Sequence, residues 1–326
     1  ALLIPGGVFE FDKGLHVPSL YDIVAQLSEM FEITVYSLSS SGKASVHSQC
    51  GKAIVKCLSS TFEDRFLARL MSYMDAASTE HRSRPFAVVH GMLGLPSELA
   101  TIWLGKRFQI PTVVSFLGGE TARVPHLQYG NLRKPLPRFM TLWIARQANC
   151  LTVQSQYQLS QLQKYGLRRS DVEAIPHGID ISLFKSGRKP KAPPFNFISV
   201  ANIHRLKDYD TLLRTFALVR EHVDSQLRIL GIDYQKGEIH NLARGLGLNG
   251  RVEFLGHVNH KEIPRHLEWA HVILRPSIYE GGGVAVTEAA ACEVLIAGTS
   301  VGLLSDFRQD KAITAEVGDY KGLAKK

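Results

Sequence analysis

Ser277-Ile-Tyr-Glu-Gly-Gly-Gly-Val-Ala-Val-Thr-Glu288 stands between two apolar runs. The run before it, His271-Val-Ile-Leu-Arg-Pro276, reads as a buried strand, and the run after it, Val284 to Cys292, reads as a helix. The element is therefore a strand, a glycine turn and a helix N-terminus. Open N–H groups and the positive end of a helix dipole then face whatever lies over the turn, which suits a phosphate. Glu280 precedes the three glycines, and Glu288 follows eight residues later beside Ala289, Ala290, Ala291 and Cys292. A carboxylate among small apolar residues is partly buried and needs a partner. Phosphate donors beside two acceptors for hydroxyls suit a nucleotide-sugar.

Outward from this element, short apolar runs alternate with amphipathic segments. After residue 195 the order is strand Phe195–Val200, helix Tyr209–His222, strand Gln226–Leu230, helix Gly237–Leu246, strand Arg251–Phe254, helix His260–Ala270 and strand Val272–Arg275. An earlier series includes a helix from Val17 that places Leu20, Val24, Leu27 and Phe31 on one face. Its strands are Ile33–Ser37, Phe86–His90, Thr112–Phe116, Cys150–Gln154 and Val172–Ile175. Such alternation predicts parallel sheets covered by helices. Between the series lies Lys185-Ser-Gly-Arg-Lys-Pro-Lys-Ala-Pro-Pro194, basic and proline-rich as a linker is. The expected fold is α/β. It has two doubly wound, Rossmann-like parallel-sheet domains, 1–190 and 191–326, facing across a cleft, with ligands at the C-terminal strand ends. The chain stops at the apparent start of a helix, so the C-terminus reads as truncated.

A second basic loop supports the phosphate reading. In Ser199-Val-Ala-Asn-Ile-His-Arg-Leu-Lys-Asp208, Arg205 and Lys207 occupy a strand-to-helix loop on the same sheet edge as the glycine turn. Each charged hydrogen bond to a diphosphate there would contribute about 1.5–3 kcal/mol. His90 closes a strand at the expected cleft and is a candidate contact for acceptor or sugar.

Composition narrows the class. The chain has 326 residues, 45% hydrophobic and 21% charged, which predicts a globular protein of two domains. No run of about 18 uncharged apolar residues occurs, so no membrane span is expected. No secretory signal is read. Cys50, Cys57, Cys150 and Cys292 lack metal or disulfide spacing, which fits a cytoplasmic location. The net charge of +8 fits anionic ligands or an anionic membrane surface. Asn131-Leu-Arg-Lys-Pro-Leu-Pro-Arg-Phe139 mixes basic and apolar residues. It reads as a surface loop or, for a lipid acceptor, as a peripheral contact with the inner membrane face.

Glu280-Gly-Gly-Gly…Glu288-Ala-Ala-Ala-Cys resembles the paired-glutamate signature of the large retaining glycosyltransferase family that includes bacterial sucrose, mannosyl and glycolipid transferases (the family-four group, with a GT-B fold). Ala174-Ile-Pro-His-Gly-Ile-Asp180, Lys207-Asp-Tyr-Asp-Thr-Leu-Leu213, Val252-Glu-Phe-Leu-Gly-His-Val258 and Pro111-Thr-Val-Val-Ser-Phe-Leu-Gly-Gly-Glu120 are similar to other segments of that family. The resemblance implies that Glu288 binds the ribose hydroxyls and Glu280 the donor sugar. It implies that Arg205 and Lys207 hold the diphosphate, helped by the N–H groups of Gly283, Val284 and Ala285. Gly6 and Gly7 would allow close backbone approach to phosphate or acceptor. His257 and Val258 would lie beside the base, and Gly118, Gly119 and Glu120 near the sugar. The implied reaction is metal-independent front-face transfer from a nucleoside-diphosphate sugar to a polysaccharide, lipid or small molecule, with no cofactor and no nucleic-acid partner. The leaving group is a dianion, so cations and dipoles aimed at it stabilise the transition state.

Several positions differ from the family pattern: Leu295 stands where a proline is usual, Glu120 where an aspartate is frequent, and His204 occupies one place for the arginine next to Arg205. Leu117 stands where a polar residue is usual. Glu293 stands where a glycine ends the helix in a left-handed cap, a conformation and a dipole end that suit glutamate poorly. These, with the short C-terminus, leave a second reading, a non-catalytic nucleotide-sugar-binding relative. A third is a sugar-nucleotide epimerase or phosphorylase of the same two-domain architecture, and the paired-glutamate spacing argues against the epimerase. A nicotinamide dehydrogenase is disfavoured, because no Gly-x-Gly-x-x-Gly follows the first strand.

Overall fold

In the strand Val272–Arg275, Ile273 faces one apolar cluster and Leu274 the other, and both are buried. A strand buried on both faces carries a continuous apolar run, the mark of a parallel sheet between helices. A computed structural model describes residues 1–5, 9–10, 15–16, 18–38, 45–61, 64–307 and 311–326. By its contacts the chain divides into two units, Ala1–Gly178 and Ile179–Lys326.

The first unit contains an eight-stranded sheet in the order Glu173–Ala174, Cys150–Val153, Thr112–Phe116, Val89–Met92, Leu2–Ile4, Thr34–Leu38, Ala53–Leu58, Ser45–Cys50. Seven strands run parallel, and the edge strand Ser45–Cys50 pairs antiparallel. A separate hairpin pairs Phe9–Glu10 with Leu15–His16. The helix Pro18–Met30 buries Leu20 and Val24 as its periodicity predicts. Phe31 departs from that prediction: it lies past the helix end and is 62% exposed. The segment read as a loop at 131–139 is a 3-10 turn, Asn131–Arg133, followed by the helix Pro135–Gln147 with proline in its first turn. Proline is tolerated there because that N–H has no intrahelical acceptor.

The second unit is a six-stranded, all-parallel sheet, ordered Val252–Gly256, Ser225–Leu230, Phe195–Val200, Val272–Arg275, Leu295–Thr299, Ile313–Ala315. Phe216 and Leu213 fill one side of it, and Ile198, Val286 and Ala289 the other. Fully burying a side chain of the Phe or Leu kind contributes about 1.5–3 kcal/mol.

The units separate after Gly178 rather than near residue 190. Phe184 explains the difference: it is 1% exposed and sits in the second unit's core with Ile198 and Leu267. The basic segment read as a linker is tied down as well. Lys189 Nζ donates to Leu267 O at 2.9 Å, and His271 Nε2 lies 3.0 Å from Pro190 O.

Candidate functional site

The strand Val272–Arg275 ends at Pro276, and the chain turns through 277–283 into the helix Val284–Ala291. Three bonds fix that turn. Ile278 N donates to Leu206 O at 2.9 Å, Thr299 Oγ1 to Ser277 O at 2.5 Å, and Leu303 N to Gly282 O at 3.0 Å. The first bond joins the glycine turn to the 3-10 turn Arg205–Lys207, so the two loops predicted to share a sheet edge are bonded neighbours. Gly283 enters the helix at φ 106°, with no side-chain cap. The N–H groups of Val284 and Ala285 therefore have no acceptor within the helix.

Glu280 lies at the foot of this turn. Its Oε1 accepts from Lys207 Nζ at 2.7 Å, Arg275 Nη2 at 2.9 Å and Ser277 Oγ at 2.7 Å. Burial alone would raise its pKa. The Lys207 and Arg275 charges overcome burial and hold it at about 2. Burial also lowers the Lys207 ammonium below the usual lysine value, with Glu280 opposing. Arg275 additionally donates through Nη1 to Val200 O at 2.6 Å, so it is locked between two strand ends. Sequence reasoning assigned Arg275 no role, although a charge inside an apolar strand is itself a sign that a partner exists.

Glu288, 4% exposed, lies 2.7 Å from His260 Nε2 through Oε1. The Phe184 ring packs against His260 with centroids 5.3 Å apart. His260 was also missed; its signal is only its place just beyond His257-Val258. Of that pair, Val258 packs on the second unit's core, while His257 is exposed.

Arg205 is not brought to Glu280. Its side chain is 66% exposed, and its Nη2 lies 3.7 Å from Glu238 Oε2. An exposed pair of this kind contributes little to stability. His204 turns back on its own loop, where Nδ1 accepts from Leu206 N at 3.3 Å. Asp208, at φ 47°, caps the helix Tyr209–Arg220 by accepting from Thr211 N.

The helix Val284–Ala291 is capped at Cys292 and followed by Glu293, which has φ 54°. Glutamate thus takes the left-handed position that favours glycine. Val294 N reaches Ala289 O at 2.9 Å, and Ser186 Oγ donates to the Glu293 carboxylate at 2.7 Å.

In the first unit, Glu120 is buried and turned onto its own loop, accepting from Gly118 N at 2.7 Å and Leu117 N at 3.4 Å. Gly119 packs under the Tyr129 hydroxyl: a methyl placed on it would lie 3.1 Å away. His90 stands within the strand Val89–Met92, not at its end, and its Nε2 lies 2.8 Å from Ser115 Oγ. Burial lowers its pKa to about 4, so the ring is neutral at pH 7. Gly6 and Gly7 lie outside the described residues. No helix among the described residues is long and apolar enough to cross a membrane.

Two Rossmann-like units, one carrying a paired-glutamate glycine turn, define a protein of the GT-B class. Residues 18–183 match the model of Glycosyltransferase Family 4, and residues 181–326 match that of Glycosyl transferases group 1. The chain belongs to this glycosyltransferase family. It is 25% identical over 251 residues to a glycogen synthase of Mycobacterium tuberculosis, across 76% of the chain and 60% of the relative. It is 27% identical over 234 residues to a D-inositol 3-phosphate glycosyltransferase of Arthrobacter, across 67% of the chain and 53% of the relative. The chain thus spans somewhat over half the length of these relatives. Among solved structures, sucrose-phosphate synthase from Thermosynechococcus elongatus superposes with a TM-score of 0.78 at 17% identity, covering 99% of this chain and 88% of that one. Alr3699/HepE from Anabaena, in complex with UDP and glucose, gives 0.71 at 16% identity, covering 99% and 88%.

Proposed function

We propose that this chain transfers a sugar from a nucleoside-diphosphate sugar to an acceptor hydroxyl, with retention of anomeric configuration and without a metal. The observation that carries the reading is the ionised Glu280, held by Lys207 and Arg275 under a glycine turn whose helix bears Glu288. The three donors all use Oε1, so Oε2 is the oxygen for a donor-sugar hydroxyl. Glu288 takes the ribose hydroxyls in exchange for His260. As the sugar–phosphate bond breaks, negative charge grows on the diphosphate. Lys207, Arg205 at the rim and the first N–H groups of the helix Val284–Ala291 are the donors for that charge. The bond to the acceptor oxygen then forms on the same face, and the acceptor's proton passes to the departing phosphate oxygen. UDP-sugars are the first donors to test, because the Anabaena neighbour is solved with UDP-glucose.

Release of nucleoside diphosphate from UDP-, GDP- and ADP-sugars tests the reading. Wild type releases it from one of them, and Glu280→Ala and Lys207→Ala lose most of that rate. Near-native rates in either variant contradict the site assignment.

The acceptor side carries a second, smaller proposal. Leu136 and Phe139, 67% and 63% exposed, stand on the helix Pro135–Gln147 beside Lys134 and Arg138. Basic residues around exposed apolar ones suit an anionic lipid surface. Sedimentation with anionic but not neutral vesicles supports this contact, and no sedimentation with either removes it.

A further inference from the structure

Glu98 lies in the first turn of the helix Ser97–Phe108 with no exposed surface. Its Oε1 accepts the Gly94 N–H at 2.8 Å, and its Oε2 is buried without a partner. Glu120 arrives from the turn after the neighbouring strand Thr112–Phe116 and holds the Gly118 N–H. Both carboxyls border one glycine: a methyl placed on Gly94 would lie 3.6 Å from Glu120 Cγ and 3.9 Å from its Oε1. The strands Val89–Met92 and Thr112–Phe116 are paired, so the two turns leave adjacent C-terminal strand ends.

Among the described residues neither carboxyl forms an ion pair. On the turn Asn131–Arg133, which packs against the Glu120 turn, Arg133 has a buried Nε without a partner and forms no ion pair with either carboxyl among the described residues. Several other ionisable groups of the surrounding elements are engaged elsewhere. His90 turns to Ser115, and Lys106, at the far end of the Glu98 helix, bonds Gln147. On the helix Phe66–Ser83, Glu80 takes Lys56; on Pro135–Gln147, Arg138 lies over Tyr165 and Arg146 bonds Gly166 O. The Tyr129 hydroxyl borders Gly119 and Gly118. Two buried carboxylates with no ion-pairing cation among the described residues cannot both ionise cheaply, so one keeps its proton.

We propose that Glu98 is the neutral, protonated member of a carboxyl pair with Glu120, and that this pair latches the Gly94 turn to the Gly118 turn and loosens both when Glu98 ionises. Glu98 is a positioning residue for these turns. Burial, then the Glu120 charge, raise its carboxyl well above the usual glutamate value, and burial raises Glu120 too. The sign follows from the raised group. Its contribution to stability is complete below the unfolded value of about 4.3 and is lost as pH rises toward the folded value.

The test reads folding and is therefore independent of whether the chain transfers sugar. Unfolding of wild type and Glu98→Gln is compared from acid to mildly alkaline pH. The ratio of wild-type to variant folding constants should fall by up to about tenfold per pH unit above pH 4.3. A constant ratio, or one that rises with pH, overturns the proposal. Hydrogen exchange adds a readout that simple packing would not move. Protection of the Gly94 and Gly118 amides should weaken over the same range in wild type and stay level in the variant; equal behaviour in both overturns the latch. If Glu98→Gln does not fold, carboxyl-labelled wild type decides the matter by infrared spectroscopy. A protonated glutamate band at neutral pH supports the pair, and its absence overturns it.

Discussion

Lys207 donates to Glu280 Oε1 at 2.7 Å across 73 residues of chain, and Arg275 meets the same oxygen at 2.9 Å. The two cations differ in burial: the Lys207 side chain is 23% exposed and that of Arg275 is 8% exposed. Lys207→Met leaves Glu280 with Arg275 and Ser277, so stability falls by about 1.5 kcal/mol, the low end for a hydrogen bond to a charged group. Transfer falls about a hundredfold, the scale for losing one donor to developing charge. Arg275→Leu strips a buried carboxylate and the Val200 carbonyl together and costs about 3 kcal/mol of stability. Denaturant melts and initial rates on both variants check this contrast.

Glu280 also sets a pH dependence. Its folded pKa of about 2 lies below the unfolded glutamate value of about 4.3. The group's contribution is therefore present above pH 4.3 and is lost as pH falls from there toward 2. Melts from pH 7 down to 3 should show wild type losing its lead over Glu280→Gln in acid. A lead that stays constant would show that Glu280 is not held by its cations.

Gly302 stands behind the Glu280 carboxylate. Its backbone, φ 57° and ψ −138°, is open essentially to glycine alone. A Cβ there would lie 2.7 Å from Glu280 Cβ and 3.0 Å from Gly282 O. Gly302→Ala should cost about 1–3 kcal/mol from conformation alone and displace Glu280 as well. Its melting point and rate should both drop, whereas a fall in melting point with full activity would contradict the contact.

Glu293→Gly should work in the opposite direction. The left-handed φ of 54° is strained for glutamate, and glycine relieves it. The Ser186 bond is lost and the unfolded chain gains freedom, so the net gain is modest, about 0.5–1 kcal/mol. A rise in melting point checks it; a fall would mean that the Ser186 bond outweighs the strain.

Much of the second unit was legible because its strands are buried on both faces. Phe195–Val200 and Val272–Arg275 begin and end where the apolar runs do. The glycine turn and Lys207 were legible because charges beside glycines at strand ends have few structural uses. Arg275 was not, since a cation at the end of an apolar run looks like the end of the run. Its role appears only once Val200 and Glu280 are brought together in space. His260 was hidden for the same reason: its partner Glu288 lies 28 residues away on another element. Phe31 failed because a helical face says nothing about where the helix stops. The boundary near 190 failed because composition marks a linker without showing that Phe184 anchors the preceding residues in the second core.

The most direct measurement is a calorimetric titration of wild type and Glu288→Ala with UDP, GDP and ADP. One nucleotide should bind wild type, and the variant should bind it at least about tenfold more weakly, a loss of about 1.4 kcal/mol. Equal binding by both proteins, or no binding of any nucleotide to wild type, would contradict a nucleotide-sugar site at Glu280 and Glu288.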